Sequence, residues 1–169
     1  PALVMAVMLP FWTSFLLRIA AWIGILQDQG IVNSLLMAAG LTSAPIPLLY
    51  TDFAMYVGIV YCYLPFMVLP LYANLVKLDP QLLEAASDLG AKPWRVFLAV
   101  TLPLSLPGIV AGFMLVFIPA VGEFVIPELL GGPDAQLIGR VLWTEFFQNR
   151  DWPLASALAV ALLLVVVLP

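Results

Sequence analysis

Uncharged stretches along the chain predict where it crosses a membrane. Asp, Glu, Lys and Arg are absent from residues 1–17, 53–76, 96–122 and 152–169. A transmembrane helix needs about 20 apolar residues, so the two middle stretches are long enough, and the ends of the sequence cut the two outer ones. We therefore predict four helical spans, near residues 2–25, 53–76, 102–122 and 153–169. They are joined by connections at 26–52, 77–101 and 123–152.

The composition supports a membrane location. Hydrophobic residues make up 64% of the 169 residues and charged residues only 9%, with a mean hydropathy of +1.11. Soluble domains are about half apolar and about a quarter charged, which excludes a soluble enzyme, a disordered tail and a nucleic-acid binder. The sequence has no histidine, hence no imidazole base. The single cysteine, Cys62, allows neither an internal disulfide nor a cysteine zinc cluster, and we interpret it as packing within a span.

The two sides of the predicted membrane protein differ in charge. Three basic residues lie on each side, so the positive-inside rule gives no orientation. The acids are uneven: seven accompany connections 26–52 and 123–152, and three lie in 77–101. The first side therefore carries a net charge of −4 (three bases, seven acids), and the second side is neutral (three and three).

The connection 77–101 predicts a helix, a sharp bend and a second helix. Asp79 can cap the first helix, and Pro80 suits its first position because the missing N–H costs nothing there. The helix would continue over residues 81–89, and Gly90 would supply the left-handed residue that ends it. A second helix would begin near Pro93 and continue into the next span. We call residues 77–101 the elbow.

The first helix of the elbow has an apolar face and an acidic face. The apolar face carries Leu82, Ala86 and Leu89, and the acidic face carries Gln81, Glu84 and Asp88. Glu84 and Asp88 are like charges four residues apart, which mildly destabilises an isolated helix. A partner that supplies a cation would relieve the repulsion, so the elbow suits docking on another protein. The alternative is an amphipathic helix lying on the lipid surface.

A motif in and after the elbow resembles a known family. Glu84-Ala85-Ala86, Gly90 and Leu102-Pro103 have the spacing of the EAA loop of ABC importer permeases, EAA-x3-G-x9-I-x-LP, with Val100 in place of the isoleucine. Five further stretches look like the permeases of spermidine/putrescine importers: residues 10–14, 64–72, 119–123, 127–132 and 149–153. The resemblance covers nearly the whole chain.

The resemblance implies an all-α membrane protein with the type I (MetI-like) transmembrane domain of ABC importers. Residues 1–169 would be a partial single domain holding about four of its six helices, without the N-terminal ones. The chain would be a multi-pass protein of the bacterial cytoplasmic membrane. Residues 77–103 would be a cytoplasmic coupling loop, so the side with net charge −4 would face outward.

The resemblance also implies roles and partners. Glu84 would meet a basic residue of the ATPase, Ala85 and Ala86 would allow close approach, and Gly90 would make the bend. The full ATPase-coupling group is Glu84, Ala85, Ala86, Asp88, Gly90, Leu102 and Pro103. The partners would be a second permease, two copies of an ATPase, an extracytoplasmic binding protein and membrane lipid, with a polyamine as substrate and no nucleic acid. No cofactor, metal site or catalytic residue is implied, and without a G-x-x-x-x-G-K-[ST] phosphate loop ATP must bind another chain.

Acidic and aromatic residues on the outer side could form the substrate path. Glu123 follows an uncharged stretch and Glu128 lies five residues on. Polyamines are polycations, which carboxylates and aromatic rings attract. The aromatic candidates are Tyr56, Tyr61, Tyr63, Trp143 and Trp152, and Glu123, Tyr61 and Tyr63 form the predicted path. The alternatives for these groups are carboxylates in interfacial water with an aromatic belt, which we favour for Glu128, or a docking surface for the binding protein.

The remaining outer charges are interpreted as solvated loop residues. They could pair as Arg18 with Asp28, Arg140 with Glu145 and Arg150 with Asp151, at little net gain. Residues 131–134, Gly-Gly-Pro-Asp, predict a turn.

Three other functions remain as alternatives. The first is an ABC importer of the same architecture for another solute. The second is an ion-coupled carrier, which usually needs an ionisable group deep within a span, whereas the acids here are predicted in loops or at span edges. The third, a membrane enzyme, is opposed by the lack of histidine and of any nucleophile motif.

Overall fold

The computed structural model describes residues 2–167, and each regular element in that range is helical, as predicted. The α-helices are α1 (Ala2–Met8), α2 (Phe15–Leu26), α3 (Ile31–Ala38), α4 (Asp52–Leu75), α5 (Pro80–Asp88), α6 (Pro93–Val96), α7 (Leu102–Val121), α8 (Val125–Leu130), α9 (Ile138–Trp143) and α10 (Trp152–Val167). A 3-10 turn (Leu9–Trp12) follows α1, and π-helical stretches follow α6 (Phe97–Thr101) and α9 (Thr144–Asn149). Residues 1, 168 and 169, which belong to predicted spans or their flanks, lie outside the described range.

Within residues 2–167, three helical stretches are long and apolar enough to cross a membrane: Phe15–Ala38, Asp52–Leu75 and Pro93–Val121. The second agrees with the predicted span at 53–76. The third contains the predicted span at 102–122 and begins earlier, because the second helix of the elbow runs into it without a break, as expected. Helix α10 covers most of the predicted fourth span and is a shorter apolar helix.

The prediction of one continuous helix over residues 2–25 is wrong. The 3-10 turn that contains Pro10 ends at Trp12, and the next residue, Thr13, donates its backbone N–H and its hydroxyl to the Pro10 carbonyl at 3.2 and 2.7 Å. Ser14 is extended, and α2 begins after it. The connection at 26–52 also contains a helix, α3, that was not predicted. Local turn hydrogen bonds at a proline therefore divide a stretch that hydrophobicity alone makes continuous.

Helices α4 and α7 pack closely through two glycines. An ideal Cβ on Gly108 would lie 2.6 Å from Cβ of Asn74, and one on Gly112 would lie 2.8 Å from Sδ of Met67. Residues four apart share one face of a helix, so these glycines let the two backbones approach. This pairing holds α7, the helix that follows the elbow, against α4.

A buried core lies where α8 packs between α2 and α4. Its members are Ile19, Leu26, Ala54, Cys62, Tyr63, Ile126 and Leu130. Gly58 of α4 leaves the space for α8, because a Cβ there would lie 2.5 Å from Cδ1 of Leu130 and 2.9 Å from Cγ2 of Ile126. Cys62 is buried in this core, which confirms its interpretation as packing.

Candidate functional site

The elbow has the geometry that its sequence predicts. A carboxylate oxygen of Asp79 accepts from the backbone N–H of Gln81 at 2.9 Å, and α5 begins at Pro80. Gly90 has φ +80°, and its N–H donates to Ser87 O at 2.9 Å. The next N–H, of Ala91, reaches back to Ala86 O at 3.2 Å, so both bonds satisfy carbonyls at the end of α5.

The residues of α5 that were predicted to couple to an ATPase are mostly on the surface. Glu84, Ala85 and Asp88 are exposed and Ala86 is half-buried, while the apolar side chain of Leu89 is 89% exposed. Helix α5 packs against α6 and the π-helical stretch after it. The elbow therefore presents two carboxylates and an exposed leucine on one short helix, as a docking element would.

Leu102 and Pro103 lie further along the same continuous helix, at the start of α7, where both are exposed. The N–H of Leu102 donates to Phe97 O, five residues back, so the helix is locally wider than an α-helix. Pro103 has no N–H to donate, which explains why the regular hydrogen-bond ladder is interrupted here. The structure thus separates these two residues from the exposed face of α5.

Glu123 lies in the break between α7 and α8, where it is buried with 8% of its surface exposed. Its Oε2 accepts from the hydroxyl of Tyr63 at 2.5 Å. Its Oε1 accepts from the backbone N–H groups of Val125 and Ile126 at 2.8 and 3.3 Å. These are the first two N–H groups of α8, which helical hydrogen bonds leave without partners and which favour a negative charge.

The predicted path residues do not form one cluster. Tyr63 meets Glu123, so the alternative that Glu123 is an interfacial carboxylate in water is wrong. Tyr63 and α8 cover the carboxylate, and no local sequence pattern indicates either contact. Tyr61 instead packs edge to face on Trp22, with ring centroids 5.4 Å apart. Residues two apart on a helix point in roughly opposite directions, which separates the two tyrosines.

Tyr61 lines an apolar groove of about 430 Å³ on the surface of α4. The groove is lined by Trp22, Phe53, Tyr56, Val57, Val60, Tyr61 and Leu64. Two of the predicted aromatic candidates, Tyr56 and Tyr61, therefore share a surface. The other three do not line it: Tyr63 donates to Glu123, Trp143 stacks on Phe124 at 4.4 Å, and Trp152 is exposed.

The outer loop charges pair differently from the prediction. Arg140 Nε donates to Glu128 at 2.9 Å, and its Nη1 donates to the carbonyls of Gly132 and Ala135, each at 3.0 Å. The predicted pairing of Arg140 with Glu145 is therefore wrong, because the turn at 131–134 carries Arg140 toward Glu128. That turn is confirmed by the Ala135 N–H bond to Gly132 O at 3.1 Å. Glu128 is half-exposed, as expected for an interfacial carboxylate.

Among residues 2–167, the Arg140–Glu128 contact is the one ion pair, so the predicted Arg18–Asp28 and Arg150–Asp151 pairs do not form. The interpretation of Arg18 as a solvated loop charge is also wrong. It lies half-buried within α2, with its guanidinium 4.6 Å from the centre of the Phe11 ring. Phe11 lies in the 3-10 turn before the break, and Arg18 lies in α2 after it.

Two structural features were missed by the sequence analysis. Asn33 of α3 is fully buried, and its side chain forms two hydrogen bonds with the backbone of Ile46, at 2.8 and 2.9 Å, which tie the outer connection together. The signal was an amide within an apolar helix. The second feature is the pair Gly108 and Gly112, whose G-x-x-x-G spacing in an apolar span was visible and predicts close helix packing.

The all-helical fold with its elbow is that of a MetI-like transmembrane domain of ABC transporters. The backbone superposes, with a TM-score of 0.73 and 22% sequence identity, on a chain from the crystal structure of a bacterial ABC transporter involved in the import of the acidic polysaccharide alginate. The match covers 99% of this chain and 63% of that one. The family model described as "Binding-protein-dependent transport system inner membrane component" matches residues 1–169, and the chain belongs to this family. It is a multi-pass protein of the inner membrane.

Two curated relatives are spermidine/putrescine transport system permease proteins named PotB. The chain is 48% identical over 162 residues to the Haemophilus influenzae protein, covering 96% of this chain and 57% of the relative. It is 42% identical over 165 residues to the Escherichia coli K12 protein, covering 98% of this chain and 60% of the relative. The chain thus spans less than two thirds of the length of these relatives.

Proposed function

We propose that the chain is part of the permease subunit of an ATP-driven importer that carries putrescine- or spermidine-like cations inward across the cytoplasmic membrane. The exposed elbow, with its capped helix, its carboxylates and its Gly90 bend, is the observation that carries this proposal. The substrate class is supported by the names of the relatives that match nearly the whole chain. The chain itself performs no covalent chemistry.

The elbow and the start of α7, residues 77–103, would couple the permease to a separate ATPase. Glu84 and Asp88 are exposed for contact with a basic residue of that partner, and Ala85 allows close approach. Leu102 and Pro103 would shape the helix that carries the motion inward. ATP can drive transport only if the ATP-bound partner prefers one permease conformation, which limits the coupling free energy to that difference in affinity.

The complete transporter would contain a second permease, two copies of the ATPase and an extracytoplasmic binding protein. Two facing permeases are needed because the exposed apolar surfaces of this chain, such as the groove beside Tyr61, do not enclose a path. We place Tyr61 on that path. Its ring and those of Trp22 and Tyr56 would attract ammonium groups, and the apolar lining suits the methylene segments of a polyamine.

Glu123 and Tyr63 were predicted on the same path. Their hydroxyl–carboxylate bond lies beside the core around α8 rather than in the groove. If Glu123 affects transport, it would therefore do so through the negative electrostatic potential of its carboxylate or by holding α8 in position. The hydrogen bonds of Glu123 to Tyr63 and to the start of α8 support the second role.

Uptake of labelled putrescine tests the proposal, using vesicles that contain the full-length permease with its partner subunits, with and without internal ATP. We expect uptake that requires ATP and is blocked by excess spermidine. Glu84→Gln should lower both uptake and ATPase stimulation, whereas the matched outer variant Glu128→Gln should leave ATPase stimulation unchanged.

Three other results would each refute one part of the proposal. ATP-dependent complex activity without polyamine uptake would retain the importer and refute the substrate. Uptake driven by an ion gradient alone would refute the ATP-driven mechanism. Equal ATPase stimulation in Glu84→Gln and the parent would refute the assignment of the elbow.

A further inference from the structure

Resting on the proposed import function, we propose that Glu123 and Tyr63 are positioning residues. They fasten α8 to α4 and so set the shape of the outer half of the permease, and they do not bind the transported cation. The proposal gives a role to a buried carboxylate that the groove and the elbow leave unexplained. It stands on the hydrogen bonds of Glu123, on the packing around α8 and on charge.

The hydrogen bonds of Glu123 connect three parts of the chain. Glu123 follows α7. Its carboxylate accepts one hydrogen bond from the Tyr63 hydroxyl, in the middle of α4, and two from backbone N–H groups at the start of α8. Both carboxylate oxygens therefore have donors within the chain. Removing either side chain would leave a buried polar group without its partner, which costs about 1–3 kcal/mol.

Close packing on both sides prevents α8 from shifting while these bonds remain. On one side, Leu130 and Ile126 fill the space over Gly58, where even a methyl group would not fit. On the other side, a Cβ on Gly139 would lie 2.8 Å from the carbonyl oxygen of Glu123. Helix α8 thus packs on α4, and the break that precedes α8 packs on α9. The Glu123 carboxylate lies between these two contacts.

The charge on Glu123 is already stabilised by the chain. Tyr63 lies about 16 Å along α4 from its outer end at Asp52, at ~1.5 Å per residue. A carboxylate at such depth is costly unless it is paired or hydrogen-bonded. Glu123 is buried and both its oxygens already accept hydrogen bonds, so an ammonium group would have to compete with these donors, whereas the groove beside Tyr61 is open. Positioning therefore requires no rearrangement, and cation binding does.

The single cysteine of the chain provides a direct test in the complete transporter. Cys62 is adjacent to Tyr63, is 3% exposed and belongs to the core that α8 covers. We would measure the rate at which N-ethylmaleimide modifies Cys62, by mass spectrometry, together with KM and maximal rate of putrescine and spermidine uptake and with ATPase activity. The variants are Tyr63→Phe, Glu123→Gln and the double variant, with Tyr72→Phe on the same helix as the control.

We expect Tyr63→Phe and Glu123→Gln each to raise the Cys62 modification rate by about tenfold, because α8 opens more often. The maximal uptake rate should fall by about fivefold, while KM for both polyamines stays within about twofold, since ground-state binding is not changed. The double variant should be no worse than the more severe single variant, because both remove one interaction. Tyr72→Phe should match the parent in every measurement.

Two outcomes would overturn the proposal. A raised KM with an unchanged maximal rate, larger for spermidine than for putrescine, would make Glu123 a ligand of the cation. An unchanged rate of Cys62 modification would show that these residues do not hold α8. If the parent complex takes up no polyamine, the proposed function fails, and Cys62 modification together with ATPase activity still decides the role of Glu123 and Tyr63.

Discussion

The elbow and the break after α7, which lie at the two ends of the helical stretch Pro93–Val121, are built alike but differ in how their carboxylates are bound. In each, an acidic side chain accepts from N–H groups at the start of a short helix: Asp79 for α5 and Glu123 for α8. Glu84 on the elbow is exposed, whereas Glu123 is buried and also bound to Tyr63.

The difference shows which charges the chain satisfies itself. A buried carboxylate needs hydrogen-bond donors from the same chain, so the bonds of Glu123 hold parts of the fold together. An exposed pair of like charges on a helix that packs on one side only, such as Glu84 and Asp88, gains from a partner. The same chemical group therefore indicates positioning in one region and docking in the other.

Replacing each carboxylate by alanine should separate the regions most strongly. Glu123→Ala leaves three donors without an acceptor, so we expect a loss of about 3 kcal/mol or more in the free energy of unfolding. Glu84→Ala should change it by less than about 0.5 kcal/mol. Thermal unfolding of the purified transporter measures both, and equal effects would contradict the comparison.

Glycine packing should give the next largest difference. Gly139→Ala places a methyl group against the backbone of Gly122 and Glu123, and overpacking of this kind costs about 1–3 kcal/mol. Gly24→Ala on α2 meets open space and should be neutral or stabilising by about 0.5–1 kcal/mol. The same unfolding measurement applies, and a stable Gly139→Ala variant would show that the outer break tolerates movement.

Alanine substitutions at Gly90 and Gly40 should distinguish the effect of backbone strain from an effect on coupling to the ATPase. Gly90 and Gly40 both have positive φ, +80° and +70°, and both face open space. Alanine at either position should cost about 1–2 kcal/mol through backbone strain. Only Gly90→Ala should also lower ATPase stimulation, measured in vesicles containing all subunits. Loss of stimulation in Gly40→Ala as well would mean that strain alone disturbs coupling.

Helix caps should give the smallest effects. Asp79 caps α5, and Asp151 accepts from Leu154 N–H at 3.1 Å at the start of α10. Alanine at either site should cost about 1 kcal/mol. Hydrogen exchange should rise within α5 for Asp79→Ala and within the first turn of α10 for Asp151→Ala. Only the first variant should weaken binding to the ATPase, and equal weakening would contradict the assignment of the elbow.

The elbow could be predicted residue by residue because its determinants are local. Asp79, Pro80, Gly90 and Pro93 each act on backbone groups within a few positions. The bond between Tyr63 and Glu123 joins residues 60 apart, and no local pattern reports such a contact. Hydrophobicity located the spans at α4 and α7 because it reports which segments are apolar enough to lie in lipid. It failed near Pro10 because a turn within an apolar segment does not change its hydrophobicity.

The outer region was harder because its charges are arranged by tertiary structure. Arg140 could have met Glu145 on its own helix or Glu128 across a turn, and side-chain spacing does not decide between them. Arg18 was placed in a loop by its charge, although the aromatic ring of Phe11 accommodates it within α2. The spacing of Gly108 and Gly112 was readable, by contrast, and predicts the close pairing of α4 with α7.

The unbroken helix that joins the elbow to the outer break has a mechanical consequence. The stretch Pro93–Val121 has 29 residues and is therefore about 43 Å long at ~1.5 Å per residue. A tilt of about 10° around its inner end displaces the outer end by about 7 Å, from the same length. The helix is a lever arm that converts a small rotation at the elbow into a movement wider than a water molecule at the break before α8.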